Sequence, residues 1–249
     1  MKIAIDIGNS TIAIGLSKQG DEFDKIYRIN TDKHKSSDEY AFILRDYIES
    51  CDQAIISSVV PEINEGFRTY FLNQFNVKPM FVGAGIKTGI QINSDNPKEV
   101  GGDLIANSVG AIHYYDETAL IIDLGTATTF TYIDKKTLKG VAIATGLTTS
   151  KNALFDKTSL LPQVELEAPK HVLGKNSVDA FKSGLVYGHA SMIDGMIKRI
   201  KKDINQPNLT VIMTGGHARF VHHLCEESII RDDILILKGL FNILNKNQK

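Results

Sequence analysis

The tetrapeptide Ile5-Asp6-Ile7-Gly8 returns 117 positions later as Ile122-Asp123-Leu124-Gly125. Each copy runs into hydroxyl residues, Ser10-Thr11 in the first and Thr126, Thr128 and Thr129 in the second. In both places an apolar run carries a carboxylate to its end, a glycine turns the chain, and a second apolar stretch follows, Ile12 to Leu16 or Phe130 to Ile133. That pattern predicts strand, tight turn, strand, twice over. A repeat of domain size implies two similar halves. The spacing puts the divide of the 249 residues between 117 and 118, giving domains 1–117 and 118–249. No low-complexity linker separates them, so the halves are expected to share an interface.

Around the repeats the periodicity alternates between helix and strand, which predicts an α/β fold. Helical spacing runs over 38–48, 62–75, 178–200 and 232–245. Short buried strands are expected at 54–56, 79–82 and 209–213. The N-terminus, with Asp6 inside its apolar run, reads as a first strand and not as a signal peptide. No apolar run approaches the ~20 residues that span a bilayer. With 28 basic against 29 acidic residues and no basic stripe, the chain offers nothing to displace the counterions of a nucleic acid. Cys51 and Cys225 lack metal-ligand spacing and suit a reducing cytoplasm. His217, His222 and His223 form no zinc motif.

Three constellations bring chemistry together. Asp6, Gly8, Asn9, Ser10 and Thr11 make a turn whose N–H groups and hydroxyls suit phosphate oxygens, while the carboxylate organises Mg²⁺ through water. The stretch from Asp123 to Thr129 repeats that design with one carboxylate and three hydroxyls. The third, Thr214-Gly215-Gly216, ends a strand where the lack of side chains lets an adenosine approach the backbone. Taken singly, each is also an ordinary hairpin or loop.

In order and spacing, these turns resemble the phosphate-1, phosphate-2 and adenosine elements of the actin/sugar-kinase/Hsp70 superfamily. The chain resembles the type III pantothenate kinases over nearly its whole length. The matching residues are Asp6-Ile-Gly-Asn-Ser-Thr11, Ser57-Ser58-Val59-Val60-Pro61, Asn96-Pro97 with Gly101-Gly102-Asp103, Asp123 to Thr129, Leu161-Pro162, Gly174-Lys175-Asn176-Ser177, Ser183-Gly184 with Gly188, and Thr214-Gly215-Gly216. The resemblance implies two ribonuclease H-like domains with a nucleotide cleft between them. It also implies transfer of the ATP γ-phosphoryl to the primary hydroxyl of pantothenate by a cytoplasmic homodimer. By the same resemblance Asp103 is the general base, and Gly101, Gly102, Asp103 and Ser177 contact the substrate. Asp6, Gly8, Asn9, Ser10, Thr11, Thr126, Gly215 and Gly216 hold ATP, with Mg²⁺ reached through water from Asp6. Asp123 binds K⁺ or NH₄⁺.

The chain departs from the family pattern at Leu104 and Ser94, where the family has Arg and Tyr, at Thr145 in place of Pro, and at Ser177 in place of Thr. Leucine offers no donor to an anion that a guanidinium would hold by paired hydrogen bonds. Two other readings therefore stand beside the kinase: a Bvg accessory factor-like regulatory nucleotide-binding protein, and a kinase of the same fold for another small hydroxylated acceptor.

Overall fold

Alternation along the first strand decides which way each side chain of the N-terminal unit points. In β1 (Lys2–Ile7), Ile3, Ile5 and Ile7 face one side of the sheet and Ala4 the other, because successive side chains project to opposite faces. The computed structural model describes residues 1–18, 22–83 and 85–248, with the side chain of Lys98 excepted. The elements that follow β1 are β2 (Thr11–Ser17), β3 (Lys25–Asn30), α1 (Ser37–Arg45), β4 (Gln53–Ser58), α2 (Pro61–Phe75), β5 (Met80–Phe81), β6 (Gln91–Ile92) and α3 (Gly102–Tyr114). The chain continues through β7 (Ala119–Leu124), β8 (Ala127–Asp134), β9 (Thr137–Thr145), α4 (Leu147–Lys157), α5 (Ser177–Asp203), β10 (Thr210–Thr214), α6 (Ala218–Val221), β11 (Ile230–Arg231) and α7 (Leu235–Lys246).

Packing divides the chain into two units, one of residues 1–117, 134–139 and 234–249, the other of 118–133 and 140–233. In the first unit a five-stranded sheet has the order β3-β2-β1-β4-β5, with β1 antiparallel to β2 and parallel to β4. The isoleucine face packs on α1 and α2 through Tyr40, Leu44, Phe67 and Phe71. The opposite face, with Ala4 and Ile55, lies under α3 and α7 through Ile105, Val109, Leu237, Leu240 and Phe241. Helix α1 starts on a capping box, in which the Ser36 hydroxyl accepts from Glu39 N–H and the Glu39 carboxylate accepts from Ser36 N–H. It stops at Arg45, short of the expected 48, although Ile48 remains buried in the turn beyond. Pro61 opens α2, and Asn76, with φ 55°, closes it in the left-handed conformation.

The second unit repeats the arrangement, with β7 antiparallel to β8 and parallel to β10. Its sheet runs β11-β10-β7-β8-β9, and β6 joins the first residues of β9, which count with the first unit. Leu120, Ile122, Leu124, Val211 and Met213 pack against Ile193 and Ile197 of α5. Among the described residues no helix is long and apolar enough to cross a membrane.

Candidate functional site

Each repeat ends as the strand pattern predicts, in a short turn closed on its glycine. In the first unit Gly8 N–H donates to Thr11 O at 3.0 Å; in the second Gly125 N–H donates to Ala127 O at 3.0 Å, one residue tighter. Asn9, Ser10 and Thr11 are exposed on the first turn and Thr126 on the second. A second set of donors holds the glycine carbonyls from outside the turns. The Thr31 hydroxyl donates to Gly8 O at 2.6 Å and Thr31 N–H to Ser10 O at 3.1 Å. In the second unit the imidazole of His217 reaches Gly125 O at 3.2 Å. Thr126 O accepts from Gly146 N–H at 3.2 Å and from the Thr149 hydroxyl at 2.7 Å.

Strand parity gathers side chains at one end of the first sheet. Asp6 shares its face with Ala4, and Ser57 shares its face with Ile55. The two are register partners at the ends of β1 and β4. Above them begins α3: a side chain at Gly102 would stand 3.3 Å from the Ser57 hydroxyl. That hydroxyl is fully buried and has no hydrogen-bond partner among the described residues. Asp103 lies one residue further along α3, partly buried, and its Oδ1 accepts from Leu104 N–H at 2.9 Å. Burial pushes its carboxyl above the ordinary aspartate range, and backbone N–H groups of the helix start oppose the shift. A side chain at Gly101 would overlap Asp103 Oδ1, so glycine there leaves the carboxylate room. Thus Asp6, Gly8 to Thr11 and Gly101 to Asp103 occupy one end of the first sheet. Leu104 is partly buried, and Ser94 is exposed.

In the second unit Asp123 is the last residue but one of β7, and the Gly215 turn follows its register partner Thr214 at the end of the parallel neighbour β10. Gly215 has φ 94°, and any Cβ there would overlap Asp123 Oδ1, so only glycine lets the two strand ends meet. Asp123, Thr126, Gly215 and Gly216 are thereby brought together. Beneath them Thr128, fully buried, pairs its hydroxyl with His189 Nε2 at 2.9 Å. Burial, with His217 nearby, pulls the His189 pKa down to about 4, so the ring is neutral. Ser177 opens α5 just after the Asn176 cap. Twelve residues, about 18 Å of helix, separate it from His189.

The carboxylates of Asp6 and Asp123 are hard oxygen donors of the kind that suit Mg²⁺ and alkali cations. Thr31, Thr148, Thr149, His189 and His217 did not emerge from the motifs. Ser57 lay inside a quoted motif without a role, and His217 stood directly behind the Gly-Gly pair. Thr31 is 23 residues from the glycine it holds, a separation that no local pattern bridges.

The family model described as type III pantothenate kinase matches residues 2–199. Two curated relatives, both named type III pantothenate kinase, are 42% identical (Shouchella clausii) and 39% identical (Exiguobacterium sp. strain AT1b), each over 100% of both chains. Among solved structures, the inorganic polyphosphate/ATP-glucomannokinase of Arthrobacter sp. strain KM superposes with a TM-score of 0.52 at 13% identity, covering 98% of each chain. That likeness bears on the fold alone. This chain is a kinase and belongs to the type III pantothenate kinase family.

Proposed function

We propose that the chain transfers the γ-phosphoryl group of ATP to the primary hydroxyl of pantothenate, giving 4'-phosphopantothenate and ADP, the first step of coenzyme A biosynthesis. The observation that carries this reading is Asp103. It is a carboxylate of raised pKa at the start of α3, beside the strand ends that carry Asp6 and Ser57. Phosphoryl transfer asks a protein mainly for positioning and charge neutralisation. Asp103 accepts the hydroxyl proton as the oxygen attacks Pγ and the bond from Pγ to the bridging β-phosphate oxygen breaks. The turns at Gly8 to Thr11 and at Thr126 hold the phosphates, and Gly215 and Gly216 lie against the adenosine. Gly101, Gly102 and Ser177 are assigned to the acceptor. Asp6 would hold Mg²⁺ through water and Asp123 a K⁺ or NH₄⁺ ion; bound there, these cations neutralise phosphate charge.

The working form is proposed to be a cytoplasmic homodimer. The second unit exposes Ile143 (73%), Leu160 (91%) and Leu173 (85%), apolar side chains that a second copy would cover. Light scattering should give twice the 27.5 kDa of one chain. A monomer at micromolar concentration would remove this part of the reading.

Leu104 places an aliphatic side chain directly after the base, so the acceptor's carboxylate must find its cation elsewhere. The test is ADP release with ATP, Mg²⁺ and K⁺, with and without pantothenate, beside Asp103→Asn. Pantothenate-dependent turnover that falls by about 100-fold or more in the variant supports the reading. ATP binding without such turnover would overturn the acceptor and leave another hydroxyl compound or a regulatory role.

A further inference from the structure

Three segments of the second unit converge on the Gly125–Thr126 peptide, and one imidazole joins them. His217 follows the Gly215-Gly216 turn, which packs on the end of β7, and its own N–H donates to Leu124 O at 3.1 Å. From there the ring spans two partners, with Nδ1 at 3.2 Å from Gly125 O and Nε2 at 3.0 Å from the hydroxyl of Thr148 in the first turn of α4. A carbonyl oxygen only accepts, so Nδ1 carries the proton. In the neutral ring Nε2 accepts from Thr148. Burial, with the charges of Arg219 and Lys151, disfavours the protonated ring, which fits that tautomer.

The peptide group is planar and trans, so a C=O held to one side sends the next N–H to the other. Holding Gly125 O therefore aims Thr126 N–H away from His217. Glycine is the residue that rotates most freely. Unheld, this peptide can turn its carbonyl oxygen toward an approaching phosphate, where like partial charges repel. The following peptide has its own restraint, because Thr126 O is held by Gly146 N–H and the Thr149 hydroxyl. The Gly125 carbonyl is held by the ring.

We propose that His217 is a positioning residue for this kinase: by gripping the Gly125 carbonyl it fixes the peptide plane of the second phosphate turn, and so sets the affinity for the triphosphate of ATP. The inference rests on reading the turn as a phosphate site. It predicts a loss confined to the nucleotide.

The test measures ATP binding by calorimetry in the presence of Mg²⁺, together with KM for ATP and for pantothenate, in four proteins. These are the wild type, His217→Ala, His217→Leu and His217→Asn. The asparagine amide places a donor near the position of Nδ1, whereas alanine and leucine have none. Alanine and leucine are expected to weaken ATP binding by on the order of tenfold. Asparagine should stay within about threefold, and KM for pantothenate should move less than about twofold in all. Where alanine fails to fold, leucine preserves the bulk and still lacks the donor. The proposal is overturned if leucine binds ATP as the wild type does, or if asparagine loses as much as leucine at an equal unfolding midpoint. A wild type that does not bind ATP overturns it together with the phosphate-site reading. A wild type that binds ATP without turning over pantothenate overturns the acceptor alone, and the comparison of leucine with asparagine still decides the role of His217.

Discussion

At Asp103, catalysis and stability make opposite demands. The base has to be ionised to take the hydroxyl proton, yet burial makes the ionised form the costly one in the fold. Turnover is expected to fall as pH drops through a pKa above the ordinary aspartate range. The stability term has the other sign: it favours the fold below the unfolded pKa and is lost as pH rises through the raised one. Asp103→Asn should therefore raise the thermal midpoint at neutral pH and leave it unchanged near ~3, below the ordinary aspartate pKa. A lower midpoint at neutral pH would contradict the burial argument. Thr31 carries a different prediction. Thr31→Val keeps the shape and removes the donor to Gly8 O. The lost hydrogen bond is worth about 1 kcal/mol net, so KM for ATP should rise about fivefold with little change in kcat.

The close pairing of α3 with α7 is a property of elements. A Cβ at Gly239 would overlap Ala106 O, and one at Gly110 would stand 2.6 Å from Leu235 O, so two glycines let the helix backbones touch. Alanine in place of a mid-helix glycine ordinarily gains up to about 1 kcal/mol. Here overpacking costs about 1–3 kcal/mol or more, and the clash involves backbone that cannot swing aside. Gly239→Ala is expected to lower the urea midpoint, and a rise would show that the helices part easily. Glycine also explains why α3 gave no clear periodic signal: with Gly102 and Gly110 within it and Asn107 and Ser108 buried, its apolar stripe is broken. In β9, Val141 and Ile143 are exposed, so alternation there does not report a buried face. Helix α4 buries only Leu147 among its described residues, which leaves little amphipathic pattern to read.

Across the whole molecule, the acid limb of stability should carry the mark of His189. Its pKa is about 4 in the fold against 6.5 for the free side chain, so the unfolded chain binds the extra proton between those values. Stability is then complete above about 6.5 and is lost as pH falls toward 4, by at most about 3 kcal/mol. His189→Gln keeps an amide beside Thr128 and does not titrate, so unfolding measured between those pH values should show a flatter slope; an unchanged slope would assign the acid loss to other groups. The two copies of strand, turn, strand were legible because each is local: a buried run, a carboxylate, a glycine and hydroxyls follow one another within ten residues, and their repetition announces two related sheets. The order of the later motifs was legible for the same reason, and with it the family. What touches those turns from a distance was not. The grip of Thr31 on Gly8, of His217 on Gly125 and of His189 on Thr128 joins residues 23, 92 and 61 positions apart. The return of α7 to the first unit joins the last residues to the first strand. Local chemistry determined the turns and their order, while the contacts that hold their carbonyls in place exist only once the sheets have formed, because hydrogen bonds and van der Waals packing act over a few ångströms whatever the distance along the chain.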